Sequence, residues 1–174
     1  LFSHKAASAL AAGNALITKP PIRCPLTVMK IAEIMQEAGL PRAAHQVITG
    51  HGGRLGDFLV EHPDIQMITF TGSTATGQRI SELASKTLKR LQLELGGNDA
   101  QIICADADLD RAAEAVVLGR LARGNGQICC AVKRVFVDRR VAEEFTAILT
   151  RKAKALKMGS QMEDDTDVGP LINE

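Results

Sequence analysis

The stretch IQMITFTGSTATGQRISELASKTLKRLQLELGG, residues 65–97, decides the fold. Residues 65–73 are rich in apolar and β-branched side chains and end in a Gly-Ser pair, which predicts a strand and a turn. Residues 75–87 predict a helix, and residues 88–97 predict a second strand. Parallel strands need a crossover of a dozen or more residues, usually a helix. The stretch therefore predicts an α/β fold.

The same alternation continues on both sides of this stretch. Before it, the sequence predicts a helix tail at 3–12, strands at 15–19 and 45–50, and helices at 25–41 and 57–62. After it, the sequence predicts strands at 100–105 and 132–138 and helices at 109–123 and 140–157. The apolar face of the second helix would consist of Leu26, Met29, Ile31, Ile34 and Met35. The whole pattern predicts a doubly wound, Rossmann-like parallel sheet with flanking helices.

The composition argues against several classes of partner. The chain has 174 residues, of which 45% are hydrophobic and 24% charged, and its net charge is +1. Without an excess of one sign, nucleic acids and membrane surfaces are not expected partners. The uncharged runs are too short or too broken to span a membrane. Because the chain begins with Leu1 and lacks the pattern of a signal peptide, we expect it to be cut from a longer polypeptide.

The cysteine content predicts reduced thiols in a cytoplasmic protein. The four cysteines are Cys24, Cys104, Cys129 and Cys130. They lack CxxC spacing and histidine partners at the distances typical of zinc sites, so no metal site is expected. The adjacent pair would form only a strained disulfide.

Two glycine-containing turns are candidate nucleotide sites. Gly50, Gly52 and Gly56 lie between a predicted strand and a predicted helix, where backbone amides can approach a dinucleotide. Their spacing is GxGxxxG, and a plain tight turn explains them equally well. In FTGSTATG, residues 70–77, the hydroxyl of Ser73 can cap the next helix or bind a phosphate. Local chemistry favours the cap.

Two further residues are candidates for catalysis. Glu94 ends an apolar strand in LELGG, where a carboxylate is costly unless it is paired or functional, so it can be a general base. Alternatively, Glu94 and Gln92 share a solvent-facing side of the strand. Cys129 in GNGQICCA, residues 124–131, can be a nucleophile, because nearby amides and cations favour a thiolate. The alternative is a buried thiol that packs as a small hydrophobe.

Together these motifs resemble the aldehyde dehydrogenase superfamily, in family order and over the whole chain. The most specific are LELGG at 93–97 and GQIC at 126–129. The resemblance implies part of an NAD(P)-binding domain at 1–95 and the beginning of a catalytic α/β domain at 96–174. It also implies NAD or NADP as cofactor, a small-molecule aldehyde as substrate, and a homo-oligomeric full-length parent. A nucleotide-binding or assembly module without catalysis is the alternative.

The resemblance also implies the roles of individual residues. Cys129 would be the nucleophile that forms a thiohemiacetal and then a thioester, and Glu94 would activate the hydrolytic water. The implied cofactor-binding residues are Lys19, Gly52, Gly56, Gly72, Ser73 and Leu95. Ile22, followed by Arg23, occupies a position where the family often has Glu, so NADP is permitted. A family oxyanion Asn and the segment that grips the nicotinamide ribose are not among the 174 residues, and we expect the chain alone to be nearly inactive.

Overall fold

The computed structural model describes residues 1–173. The chain divides into two compact units, Leu1–Leu95 and Gly96–Glu174. The assignment of these units to a cofactor domain and a catalytic domain stays a prediction. Each unit is built from parallel strands and helices in alternation, which confirms the predicted α/β class.

The first unit contains four α-helices, one π-helical turn and four short strands. The helices are α1 Phe2–Ala11, α2 Leu26–Glu37, α3 Asp57–Glu61 and α4 Thr74–Ser85. The strands are β1 Leu16–Thr18, β2 His45–Val47, β3 Met67–Thr71 and β4 Arg90–Glu94. Strand β1 pairs with β2, and β3 pairs with β4, both in parallel. The β3–α4–β4 unit is the crossover that residues 65–97 predict.

The core of the first unit lies between helices α3 and α4 and the β3–β4 pair. The side chains of Val60, Ile80 and Ala84 are buried there, and the partly buried Phe70 and Leu93 pack against them. Along β4 the side chains alternate between half-buried and exposed, because successive residues of a strand point to opposite faces.

Helix α2 differs from its prediction in length and in burial. It ends at Glu37, whereas the sequence predicts a helix to residue 41. The predicted apolar face is largely exposed: Leu26 is 75% and Ile34 51% exposed in this chain. The buried residue of α2 is Ala32, which is small enough for a close approach to the neighbouring backbone. The apolar side chains that the sequence groups on one face are thus mostly exposed in this chain.

Within its described residues, the second unit contains two strands, two α-helices and two short helical turns. The strands and α-helices are β5 Ala100–Ile103, α5 Leu109–Val117, β6 Arg134–Val137 and α6 Ala142–Lys154. Strands β5 and β6 pair in parallel, and Ile103, Ala113, Val116 and Phe145 form the buried core. Asp108 caps α5 by accepting a hydrogen bond from the backbone N–H of Arg111. The α-helix predicted to residue 123 instead ends at Val117 and continues as a π-helical turn, Leu118–Ala122.

None of the helices within residues 1–173 combines the length and the apolar character needed to cross a membrane.

Candidate active site

Glu94 lies at the carboxyl end of β4, directly opposite Thr71 of β3. The backbone N–H of Gly72 donates a hydrogen bond to the carbonyl oxygen of Glu94 over 3.1 Å. The residue is exposed and shares the exposed face of β4 with Gln92, as the alternation along the strand predicts. The carboxylate is therefore accessible to a water molecule or a ligand at the end of the β3–β4 pair.

Lys5 of α1 adds a cation to this end of the sheet. Its ammonium group donates a hydrogen bond to the Thr71 hydroxyl over 2.6 Å. Burial lowers the pKa of Lys5 below its usual value, and the negative charge of Glu94 acts in the opposite direction. Lys5 was not identified from the sequence. The only available signal was a lysine within an otherwise Ala-rich helical segment.

The turn that contains Gly72 and Ser73 leads into α4. The Ser73 hydroxyl oxygen accepts a hydrogen bond from the backbone N–H of Thr76 over 3.2 Å, so the predicted cap is confirmed. A side chain at position 72 would collide with the Phe70 ring, since an added Cβ would lie 2.4 Å from its Cζ. A helix N-terminus presents unpaired N–H groups and a partial positive charge. Phosphate binding at this turn stays a prediction.

Leu95 follows Glu94 and packs against α4. An added Cβ at Gly77 would lie 2.7 Å from Cδ2 of Leu95, so the absence of a side chain at Gly77 admits the leucine. This contact ties the end of β4 to the helix that begins at Ser73. Leu95 thus has a packing role in the structure, and its contact with a cofactor remains a prediction.

The Gly52–Gly56 segment is a π-helical turn and not the plain tight turn that was one of its two interpretations. His51 opens it by accepting a hydrogen bond from the backbone N–H of Gly53 over 3.3 Å. An added Cβ at Gly52 or Gly56 would meet nothing within 4 Å, so this surface is open. Asp57, directly after the turn, accepts two hydrogen bonds from Arg79 of α4, over 3.0 and 2.6 Å.

Lys19 lies directly after β1 and donates a hydrogen bond from its ammonium group to the carbonyl oxygen of Pro20 over 2.9 Å. Within the described residues it makes no hydrogen bond to Glu94, Gly72 or Ser73. The first unit therefore joins Glu94 to the turn at Gly72 and Ser73, and no hydrogen bond within residues 1–173 joins Lys19 or the Gly52–Gly56 turn to them.

Cys129 lies in the second unit, on the loop between the π-helical turn after α5 and strand β6. All four cysteines are free and exposed, so the alternative of buried structural thiols at Cys129 and Cys130 is wrong. The preceding residues Gly124, Asn125 and Gly126 have φ angles of 55°, 53° and 67°. These three left-handed residues turn the chain sharply before the cysteines.

The loop is anchored on two sides. The side-chain amide of Asn125 donates hydrogen bonds to the carbonyl oxygens of Gly169 and Pro170 over 2.7 and 2.8 Å. On the other side, the ammonium group of Lys133 donates to the carbonyl oxygen of Cys129. The sequence places Lys133 four residues after Cys129 but does not reveal this contact, because its acceptor is a backbone oxygen.

Among residues 1–173, no group of three or more His, Cys, Asp or Glu side chains is arranged to hold a metal ion. The first unit offers an exposed carboxylate and a helix N-terminus preceded by a glycine turn, and the second unit offers an exposed thiol.

Comparison with known proteins gives consistent matches over the whole chain. The model of the aldehyde dehydrogenase family matches residues 1–174. The chain is 41% identical to 2-hydroxymuconic semialdehyde dehydrogenase of Pseudomonas putida over 174 residues, which cover 99% of this chain and 36% of that protein. It thus spans about a third of the length of the curated relatives it matches.

Solved structures also match nearly the whole of this chain with about a third of their own length. An E. coli protein described as an NADP dependent enzyme matches with a TM-score of 0.96 and 35% identity, over 98% of this chain and 35% of that chain. Betaine aldehyde dehydrogenase of Staphylococcus aureus, solved in complex with NAD+, matches with a TM-score of 0.93 and 34% identity, over 99% and 34% of the two chains.

Proposed function

This chain belongs to the aldehyde dehydrogenase family, and on that premise we propose that it carries the nucleophile and the general base for oxidising an aldehyde to a carboxylate with NAD or NADP. The observation that carries the proposal is the exposed, free Cys129 on a loop with an anchored backbone. A module that only binds nucleotides needs neither this thiol nor the carboxylate of Glu94.

The reaction begins when the Cys129 thiolate forms a bond to the aldehyde carbon, which gives a thiohemiacetal. The backbone N–H of Cys129 donates no hydrogen bond within residues 1–173 and is thus free to donate to the developing oxyanion. When bound, the nicotinamide accepts the hydride from that carbon. Cys129 then holds the acyl group as a thioester.

Hydrolysis of the thioester is the role of Glu94. Its carboxylate removes a proton from water, the water oxygen attacks the thioester carbon, and the Cys129 thiolate leaves. Overall, aldehyde, oxidised cofactor and water give carboxylate, reduced cofactor and two protons. The relative's name, a semialdehyde dehydrogenase, supports a small semialdehyde as the class of substrate.

The residues around the α4 N-terminus fit a dinucleotide. Gly72 has no side chain of its own, so a ligand that approaches this turn meets only the Phe70 ring beside it. The first turn of α4 offers backbone N–H groups to a phosphate. The open Gly52–Gly56 turn and Lys19 would hold the adenosine end.

A single-turnover experiment tests the chemistry. Because the chain alone is expected to be nearly inactive, the reaction is followed over a long incubation: chain in excess over succinic semialdehyde or propanal, with NAD+, should slowly form NADH, and acid quenching should trap an acyl group on Cys129. Cys129→Ser should abolish both signals, whereas Cys24→Ser, which changes an exposed cysteine of the first unit, should leave them intact. NADH formation by Cys129→Ser at the wild-type rate, or no acylated Cys129 in the wild type, would reject the proposal.

Glu94→Gln separates acylation from hydrolysis. Loss of a general base should slow release of the acyl group by about 10²–10⁴-fold. The variant should therefore accumulate acylated Cys129 while NADH still forms in the first turnover. Mass spectrometry of quenched samples over time measures this. Release at the wild-type rate would show that Glu94 is not the base.

The residue from which we predict whether the chain binds NAD, NADP or both is Ile22, which is 61% exposed. A carboxylate at this position would repel the 2′-phosphate of NADP, and Ile22 does not, so the chain should bind both cofactors. Ile22→Glu should lower the affinity for NADP+ by about tenfold relative to the affinity for NAD+. This is the effect expected of a screened like-charge contact of about 1.4 kcal/mol. Titration calorimetry with both nucleotides measures this, and a strong NAD+ preference in the wild type would contradict it.

A further inference from the structure

The ammonium group of Lys133 has three hydrogen-bond acceptors within reach. They are the carbonyl oxygen of Cys129 at 2.5 Å, the carbonyl oxygen of Ala131 at 2.9 Å and the Asp99 carboxylate at 3.0 Å. An ammonium group has three N–H donors, so each donor has one acceptor. The side chain is only 26% exposed, which limits competition from water for these bonds.

Asp99 accepts hydrogen bonds from Lys133 through its backbone carbonyl oxygen as well as through its side-chain carboxylate. The Asp99 carbonyl oxygen accepts hydrogen bonds from the backbone N–H groups of Lys133 and Arg134, over 2.9 and 3.1 Å. These contacts begin the parallel register of β5 and β6, in which Ala100 lies opposite Arg134. The hydrogen bond from Lys133 holds the pKa of Asp99 below its usual value. The cation is thus anchored where the β5–β6 pair begins.

The backbone at Gly97 also lies close to the carbonyl oxygen of Cys129. An added Cβ at Gly97 would lie 2.7 Å from Oδ2 of Asp99 and 3.3 Å from the carbonyl oxygen of Cys129. The last glycine of LELGG, residue 97, therefore lies directly beside the backbone of the loop that carries Cys129. The absence of a side chain at Gly97 leaves room for Asp99, Lys133 and the Cys129 carbonyl to meet.

The carbonyl of Cys129 belongs to the planar peptide group that joins Cys129 to Cys130. When that oxygen is held, the orientation of the peptide plane is held, and with it the direction in which the Cys129 side chain leaves the backbone. We infer that Lys133, with Asp99 as its anchor, is a positioning residue that orients the nucleophile Cys129 by holding its carbonyl oxygen. This inference rests on the proposed function for the role of Cys129, but the geometry can be tested without it.

The test is a brief iodoacetamide pulse on the whole chain, in which tandem mass spectrometry gives the alkylation rates of Cys129 and Cys130 separately. Lys133→Met removes all three donors and keeps the length of the side chain. Lys133→Arg keeps the charge and the donors. The matched control is Lys152→Met, since the Lys152 side chain is also 26% exposed and also pairs with an aspartate of the second unit, Asp110, at 2.9 Å.

In the wild type, the alkylation rates of Cys129 and Cys130 should differ by about fivefold or more, the effect of about one net hydrogen bond. In Lys133→Met, the ratio should move to within about twofold of one. Lys133→Arg should restore most of the ratio, and Lys152→Met should keep it. Circular dichroism and the rates at Cys24 and Cys104 show whether each variant is folded.

Three results would overturn the inference: equal rates at Cys129 and Cys130 in the wild type, an unchanged ratio in Lys133→Met, or an equal change in Lys152→Met. If Lys133→Met unfolds the second unit, Asp99→Asn gives the decisive measurement, because it removes only the anchoring charge and should shift the ratio in the same direction. An unchanged ratio in a folded Asp99→Asn would then overturn the inference.

The alkylation experiment uses neither aldehyde nor cofactor, so its result is independent of the proposed function. If the ratio changes as expected but no acyl group forms on Cys129, the positioning holds and the proposed function fails. If acylation occurs and the ratio is insensitive to Lys133, the proposed function holds and the positioning fails.

Discussion

At the scale of single residues, Gly126 shows why the loop before the cysteines tolerates no other side chain. Its φ angle is 67°, in the left-handed region, and an added Cβ would lie 2.3 Å from the carbonyl oxygen of Arg120. The backbone oxygen cannot move aside as the end of a long side chain can. Glycine at this position of GQIC therefore has a conformational reason and a packing reason.

Gly126→Ala should lower the free energy of unfolding by about 2–4 kcal/mol, the sum of a left-handed alanine and a steric overlap. Gly13→Ala is the matched control, because Gly13 has a φ angle of 76° but nothing within 4 Å of an added Cβ. It should cost only about 1 kcal/mol. Urea denaturation measures both, and equal losses would show that the overlap with Arg120 has no energetic weight.

At the scale of elements, the β1–β2 pair contains a buried titratable group. His45 of β2 is 1% exposed, and its Nε2 lies 2.9 Å from the Thr18 hydroxyl of β1. Its Nδ1 has no hydrogen-bond partner among the described residues. Burial lowers the pKa of His45 below its usual value of 6.5 because the charged imidazolium loses its hydration. The pair is therefore stable with a neutral histidine.

This lowered pKa predicts acid sensitivity of the first unit. The unfolded chain binds the proton more readily than the folded chain, so stability is complete above pH 6.5 and falls as the pH drops below it. His45→Gln cannot titrate and should lose less stability between pH 7 and pH 5. Urea denaturation across this range measures the difference, and parallel curves for the two proteins would contradict the prediction.

At the scale of the whole molecule, much apolar surface is exposed on one helix. Leu26, Met29 and Ile34 of α2 are each more than 40% exposed, although their spacing is that of a core-facing stripe. Exposed apolar patches favour association, and the family resemblance predicts a homo-oligomeric parent. We therefore expect the chain to self-associate through α2.

Leu26→Lys combined with Ile34→Lys should weaken self-association by at least about tenfold, since burial of each side chain contributes about 1.5–3 kcal/mol. Thr27→Lys combined with Ala38→Lys adds the same charge at exposed positions of the same segment and is the control. Sedimentation velocity over a range of concentrations measures both. A monomeric wild type, or equal weakening by the control, would reject α2 as the interface.

The sequence by itself determined the α/β class, the parallel β3–α4–β4 unit and the Ser73 cap. Each follows from short-range rules: periodicity of side chains, crossover length and the hydrogen bond of a capping hydroxyl to the next turn. The family membership of the chain, which the comparisons confirm, also followed from sequence, because LELGG and GQIC are specific in type, order and spacing. The roles of Glu94 and Cys129 remain proposals.

Only the tertiary structure decided which surfaces are buried and which groups meet. Periodicity identifies an apolar face on α2 but cannot show whether another element covers it, and in this chain that face is largely exposed. Lys5 near Glu94 and Lys133 on the carbonyl oxygen of Cys129 depend on contacts between separate segments. Their partners are in part backbone atoms, which every residue carries and which therefore leave no mark in the amino-acid sequence.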